Sequence, residues 1–181
     1  MRQIARILKG LKIPYLITGG IAVVVWGRPR FTADIDIVIE LEYKNLDRLA
    51  EKLLGIDKEV YVDRLAMREA LEKKGEFNFI HPAAGLKVDF WILKNDAFDR
   101  ERMRRRIRKN VAGTDVFLSS PEDLILIKLL WHKESGSELQ LRDVESILRI
   151  QKKLNWNYLK KWARLQGTIK ILEALWKKIK Y

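Results

Sequence analysis

Apolar and polar positions follow two different rhythms along this chain. Residues 34–40, DIDIVIE, alternate with period two: Ile35, Ile37 and Ile39 point one way, and Asp34, Asp36 and Glu40 the other. That spacing predicts a strand with one buried face. LKVDFWIL, after Gly85, repeats the rhythm with Val88, Phe90 and Ile92 opposite Lys87, Asp89 and Trp91, and residues 76–80 alternate again before Pro82. Residues 15–18 form an apolar strand led by Pro14 and broken by Gly19-Gly20. Apolar positions at helical spacing predict a short amphipathic helix over residues 2–10, and helices over Tyr43–Leu54 and residues 63–73. Residues 103–118 read as a β-hairpin turning near Ala112-Gly113-Thr114, its first strand carrying the arginines. The run IAVVVW fits a buried strand by composition, while the Gly pair before it and GRPR after it also allow a buried helix.

From residue 119 the rhythm becomes wholly helical. Ser120 serves as N-cap, Pro121 takes the first helical position and Asp123 stands where a capping box needs an acid. Three or four helices follow. In the last, Ile169, Leu172, Leu175, Trp176 and Ile179 recur as a stripe that reads as core.

At 181 residues and 48% hydrophobic, the chain suits one globular domain, or a compact domain with a helical appendage. No run approaches the ~18 apolar residues of a membrane span, and no signal peptide is visible, which predicts a soluble cytoplasmic protein without membrane partners. With no Cys and only His81 and His132, thiolate chemistry and zinc cages are excluded. Any metal must be held by carboxylates, a donor set suited to Mg²⁺ or Mn²⁺.

The formal net charge is +12, and it is unevenly placed. Residues 100–109, RERMRRRIRK, carry +6 and residues 151–181 carry +8, leaving −2 for the remainder. Two readings stand: a surface for a polyanion, or solvated outer faces of Lys-rich helices.

Three carboxylates occupy strands that otherwise call for apolar residues. Asp34 and Asp36 sit side by side on one face, and a neighbouring strand carrying Asp89 would complete a triangle of oxygens. Like charges so close favour a cation between them. Two metals bridged by such carboxylates stabilise both the entering and leaving oxygens of a phosphoryl displacement. Taken alone, the two aspartates are equally a solvated strand end, and the Gly pair equally a turn. Placed between an apolar strand and a helix, however, Gly19-Gly20 offers backbone amides and a helix dipole to a phosphate.

LITGGIAVVVWGRPRFTADIDIVIE followed by KVDFWIL resembles the DNA polymerase β-like nucleotidyltransferase superfamily, whose signature is a Gly pair or Gly-Ser, a short helix, a [DE]h[DE]h strand and a third carboxylate on a later strand. The GGxAVxxxGxxRxTxDxD form resembles most the AbiEii-type and related minimal nucleotidyltransferases of prokaryotic toxin–antitoxin systems. SSPEDLILIKLLWHKE, LRDVESIL and LNWNYLKKWARLQG resemble that group's helical half, so the likeness covers roughly residues 14–167. It implies an α/β (α+β) nucleotidyltransferase fold: a small mixed sheet with flanking helices over residues 1–118, and a helical C-terminal region over 119–181. It also makes residues 20–26 a helix.

Carried across residue by residue, the resemblance implies that Gly19 and Gly20 cradle an NTP and that Asp34 and Asp36 ligate two Mg²⁺ (or Mn²⁺) ions. Asp89 becomes the third ligand, on the metal that activates the acceptor hydroxyl. Lys128 would reach the β/γ-phosphates and Asp143 would match an acidic position of the nucleotide site, although Lys128 can equally snorkel and Arg142-Asp143 form a surface pair. Arg30 would support the aspartates. Gly20 stands where many members have Ser. The implied activity is NMP transfer from an NTP to a hydroxyl of RNA, such as a tRNA 3′ end, or of protein, with release of pyrophosphate. Arg104, Arg105 and Arg106 are candidates for the acceptor surface. A cognate toxin or antitoxin would be a further partner. The rival reading is a non-catalytic nucleic-acid- or partner-binding protein that keeps the fold.

Overall fold

The structure, a computed structural model, describes residues 1–180. They form two compact units: residues 1–21 with 31–118, and residues 22–30 with 119–180.

The first unit is built on a seven-stranded mixed sheet. Its strands are β1 (Tyr15–Ile17), β2 (Asp34–Ile39), β3 (Tyr61–Val62), β4 (Glu76–His81), β5 (Leu86–Ile92), β6 (Ile107–Val111) and β7 (Thr114–Leu118), in the spatial order β3-β4-β5-β2-β1-β7-β6. β2 runs parallel to β5 and antiparallel to β1, while β1 runs parallel to β7. The register brings Ile35 opposite Val88, Ile37 opposite Phe90 and Ile39 opposite Ile92, so the period-two rhythm of both strands lines a single apolar face. Phe77 of β4 extends that face by stacking on Phe90, with ring centroids 4.9 Å apart.

The unit's helices are α1 (Arg2–Gly10), α3 (Tyr43–Leu54), α4 (Arg64–Lys73) and α5 (Ala97–Arg104). α3 buries Leu46, Leu49, Ala50 and Leu53 and packs against α1 and α4. α4 begins one residue later than the pattern predicts, because Asp63 stays outside the helix and its carboxylate accepts from the N–H groups of Leu65 and Ala66. On the other sheet face, Leu16, Val38, Leu93 and Met103 form a small cluster against Trp91.

α5 and β3 were not expected. The arginines assigned to the first hairpin strand instead close a helix: Asp96 caps α5 by accepting from the Asp99 N–H, Arg104 is its last residue and Arg105 its C-cap. β6 starts only at Ile107. The hairpin turn is Ala112-Gly113, with φ of 47° and 74°, the paired positive values of a tight two-residue turn.

The second unit holds the end of α2 (Gly19–Trp26) and four helices, α6 (Pro121–Ser135), α7 (Glu138–Ile150), α8 (Trp156–Leu165) and α9 (Ile169–Lys180). α6 is buried from Pro121 to Leu129, Glu122, Asp123 and Lys128 included, which makes it the unit's central helix. Ser120 caps it by accepting from the Asp123 N–H, and its hydroxyl donates to the Asp123 carboxylate at 2.6 Å. Leu172 and Leu175 of α9 are buried, and Trp176 packs on Trp156 at 4.4 Å. No helix among the described residues is long and apolar enough to cross a membrane.

Candidate active site

Asp36 and Asp89 stand directly opposite one another on the parallel strands β2 and β5. Opposed residues of neighbouring strands share a face, and Asp34 lies two residues before Asp36, so all three carboxylates emerge on the face opposite the isoleucines. The same face carries Lys87, Trp91, Asn78 and Glu76 through the β4–β5 and β2–β5 registers. Trp91 Nε1 donates to Asp36 Oδ1 at 3.3 Å. Asn78 Nδ2 donates to Asp89 Oδ1, and the Lys87 ammonium lies 2.9 Å from the Asp89 carboxylate.

These contacts set the electrostatics. The hydrogen bond to Asp89 holds Lys87 above the usual lysine range. Burial, joined by the charges of Asp89 and Asp36, pushes the Glu76 carboxyl up, with Lys87 opposing. Glu76 is a fourth acid on this face, and Asn78 holds the Asp89 carboxylate in place. Neither was singled out from sequence, and the signal for both was their phase: each alternates with Phe77 and Phe79, which fixes them on the face away from the core.

Among the described residues, no three acidic or histidine side chains approach closely enough to hold a metal ion. The carboxylates share a face without closing round a point, and Asp89 is occupied by Lys87 and Asn78. The donor chemistry still fits a hard divalent cation, since Asp34, Asp36 and Asp89 offer only oxygen ligands.

The turn between β1 and α2 is pressed against this face. Gly19 has φ +57°, and a β-carbon there would lie 1.8 Å from Asp36 Oδ2. At Gly20 a β-carbon would lie 2.2 Å from Thr32 Oγ1, and that hydroxyl donates to the Asp34 carbonyl at 3.2 Å. Gly19 is therefore required by conformation as well as by close approach, and Gly20 by close approach. Just before them, Thr18 is buried with its hydroxyl lacking a hydrogen-bond partner.

In the second unit Asp143 is buried between two cations. Arg30 meets it through Nε at 2.8 Å and through a second guanidinium nitrogen at 2.9 Å, and Lys128 Nζ lies 2.8 Å from Oδ2. Lys128 also donates to Gln140 Oε1 at 2.8 Å and lies over the Trp131 ring. Burial works against the Asp143 charge, but the hydrogen bonds and charges of Arg30 and Lys128 outweigh it and hold the carboxyl below the usual aspartate range. Lys128 does not snorkel and Asp143 is no surface pair, since both are enclosed. Arg30 keeps 27% of its side chain exposed.

The arginine run is dispersed. Arg102 is buried in an ion pair with Asp99 at 2.9 Å, and Arg104 pairs with Glu101 at 2.9 Å. Arg106 donates to the Met103 carbonyl at 2.6 Å and lies over the Phe117 ring at 4.9 Å.

No protein-family model matches the chain. No curated protein sequence matches it. Solved structures do match. An antigenic nucleotidyltransferase-like protein from Paracoccidioides brasiliensis superposes with a TM-score of 0.56 at 20% identity, over 96% of this chain and 88% of that one. The solution structure of the antibiotic-resistance factor ANT(2'')-Ia gives 0.58 at 16% identity, over 95% and 92%. The lincosamide antibiotic adenylyltransferase LnuA, lincomycin-bound, gives 0.55 at 15% identity, over 82% and 94%. The chain has the fold of these nucleotidyltransferases.

Proposed function

We propose that the chain is a metal-dependent nucleotidyltransferase that moves an NMP from an NTP to a hydroxyl of an RNA acceptor. The observation that carries the reading is the one face shared by Asp34, Asp36 and Asp89, with the Gly19-Gly20 turn held against Asp36. The likeness in fold to adenylyltransferases supports it. In the reaction the acceptor oxygen bonds to the α-phosphorus, the bond from that phosphorus to the β-phosphate oxygen breaks, pyrophosphate leaves, and the hydroxyl proton passes to solvent.

Two Mg²⁺ or Mn²⁺ ions held by Asp34, Asp36 and Asp89 would offset phosphate charge and lower the acceptor hydroxyl's pKa. The chain's own groups do the positioning. The backbone amides of the Gly19-Gly20 turn, at the start of α2, receive the terminal phosphates of the NTP. Asn78 and Trp91 hold Asp89 and Asp36 in their rotamers, and Lys87 adds a hydrogen bond to Asp89. Lys128 and Asp143 are assigned to the nucleotide by the resemblance, and within the second unit Asp143 fixes both Lys128 and the Arg30 guanidinium. Arg104, Arg105 and Arg106 contribute to the acceptor surface. The resemblance of the GGxAVxxxGxxRxTxDxD run to AbiEii-type proteins favours a toxin–antitoxin setting, with a cognate partner.

Incubation with each α-³²P-labelled NTP, Mg²⁺ and total RNA tests the reading. Wild type is expected to label RNA, and the Asp34→Ala, Asp36→Ala double variant and EDTA are expected to abolish labelling. Label on protein would identify a protein hydroxyl as acceptor. No label on any acceptor, or equal labelling by the double variant, would overturn the reading in favour of a non-catalytic binding protein that keeps the fold.

A further inference from the structure

A second basic site lies in the first unit, away from the carboxylates. A pocket of about 740 Å³ opens between α1 and the β6–β7 hairpin, and six of its lining side chains are basic against one acid, Asp115. Arg2, Arg6 and Lys9 come from one stripe of α1, at spacing i, i+4, i+7, with Lys12 in the turn that follows. Arg108 faces them from β6, and Arg106 from the position just before that strand. Asp115 is already paired with Arg108 and accepts a hydrogen bond from Asn110. Among the described residues, the side chains of Arg6, Lys9 and Lys12 make no hydrogen bond or ion pair.

Three local choices here run against the stability of α1. The helix contains no acid, so Arg2 and Arg6 form a like-charge i, i+4 pair. Arg2 also stands at the helix N-terminus, where the dipole disfavours a cation. Lys12 holds φ 55°, a left-handed position after a helix that glycine usually fills. A solvated helix face would need none of these, and local rules broken together at one place point to a bound ligand. Arg106 is set in advance, anchored on the Met103 carbonyl and laid over Phe117. A pocket with six cations in its lining suits phosphates, and Tyr15 and Phe117 beside them offer aromatic surface to bases.

We propose that this pocket binds the phosphodiester backbone of single-stranded RNA and anchors the acceptor; the anchoring role rests on the nucleotidyltransferase reading, and the binding does not. β1 connects the two sites. Tyr15 lines the pocket and Gly19 lies four residues on, at most about 14 Å along an extended chain. That distance is about four stacked nucleotides at ~3.4 Å each.

The test is fluorescence anisotropy with a 5′-fluorescein 12-nucleotide RNA between 50 and 200 mM KCl. The Arg6→Ala, Lys9→Ala, Lys12→Gly triple variant is expected to weaken binding at least about tenfold and to lower the slope of log affinity against log salt by about 2, at ~0.7 per phosphate contact. Lys12→Gly alone is expected to raise Tm while lowering affinity, a combination a purely structural role would not give. An Arg48→Ala, Lys52→Ala, Lys58→Ala control removes the same charge elsewhere in the unit and is expected to keep affinity within about twofold. Wild-type binding by the first triple variant, equal loss in the control, or displacement of RNA by equimolar tripolyphosphate or poly-glutamate would each overturn the proposal. The two readings fail separately. RNA binding that depends on the pocket without label transfer sinks the enzyme, and transfer to RNA at wild-type rate and KM by the first triple variant sinks the pocket.

Discussion

Gly19 is packed so tightly against Asp36 that a β-carbon on it would sit 1.8 Å from Oδ2 and 2.5 Å from Cγ of that side chain. The backbone turn and the carboxylate are thus one rigid element: whatever positions the turn also positions the acid. Gly19→Ala must move Asp36 or the turn, and displacement of a reacting group by ~1 Å costs about 10²-fold in rate. We expect label transfer to fall about a hundredfold, while the left-handed φ of +57° adds about 1–2 kcal/mol of destabilisation, read by urea denaturation. Transfer at wild-type rate would mean that the turn and Asp36 are not coupled.

A divalent cation on Asp89 would have to compete with Lys87 for the carboxylate. The ammonium is 2.9 Å from Asp89 and is itself held above the usual lysine range by that hydrogen bond. Lys87→Met removes the competitor. Because the lysine is partly exposed, the pair is worth no more than about 1 kcal/mol, so half-maximal activity should need about twofold to fivefold less Mg²⁺. A higher Mg²⁺ requirement would assign Lys87 to phosphate binding instead.

Asp143 should make stability depend on acid. Its carboxyl is held below the usual range in the fold, so its contribution is complete above the unfolded value of about 3.9 and is lost as pH falls through the lower folded value. Asp143→Ala leaves buried Lys128 without its counter-charge and is expected to cost about 3–5 kcal/mol at pH 7. Urea denaturation at pH 7 and pH 3 should show the gap between wild type and variant narrowing in acid. A gap that does not change with pH would contradict the ion-pair assignment.

The strands and the carboxylate face were legible because period-two alternation is a local signal: Ile35, Ile37 and Ile39 separate from Asp34 and Asp36 without knowledge of any neighbour. The α2 helix was not legible from periodicity, since an all-apolar segment has no face to read, and it was assigned through the resemblance. The run at 100–109 misled for a different reason. Charge was counted as surface, but Arg102 and Asp99 neutralise each other in the interior, and Asp96 and Asp99 start a helix whose few apolar residues gave no stripe. Glu76 and Asn78 join the site only through pairing with β5, a long-range relation that no local pattern contains. The basic face of α1 was passed over because its amphipathic rhythm was already explained by Ile4, Ala5 and Leu8 in the core.

Gly20 and Thr32 form a second such contact, and it accounts for a glycine and no larger residue at position 20. A β-carbon on Gly20 would lie 2.2 Å from Thr32 Oγ1 and 2.6 Å from Thr32 Cβ, so trimming the threonine to alanine removes only the first clash. Gly20→Ser is therefore expected to lose most activity and to be rescued by Thr32→Gly but not by Thr32→Ala. Thr32→Gly also gives up the hydroxyl that donates to the Asp34 carbonyl, a bond worth about 1 kcal/mol, so rescue should be partial and roughly that far short of wild type. The double-mutant cycle on label transfer and on Tm reads the coupling directly. Equal rescue by alanine and glycine, or additive losses, would show that Thr32 does not determine which residue position 20 accepts.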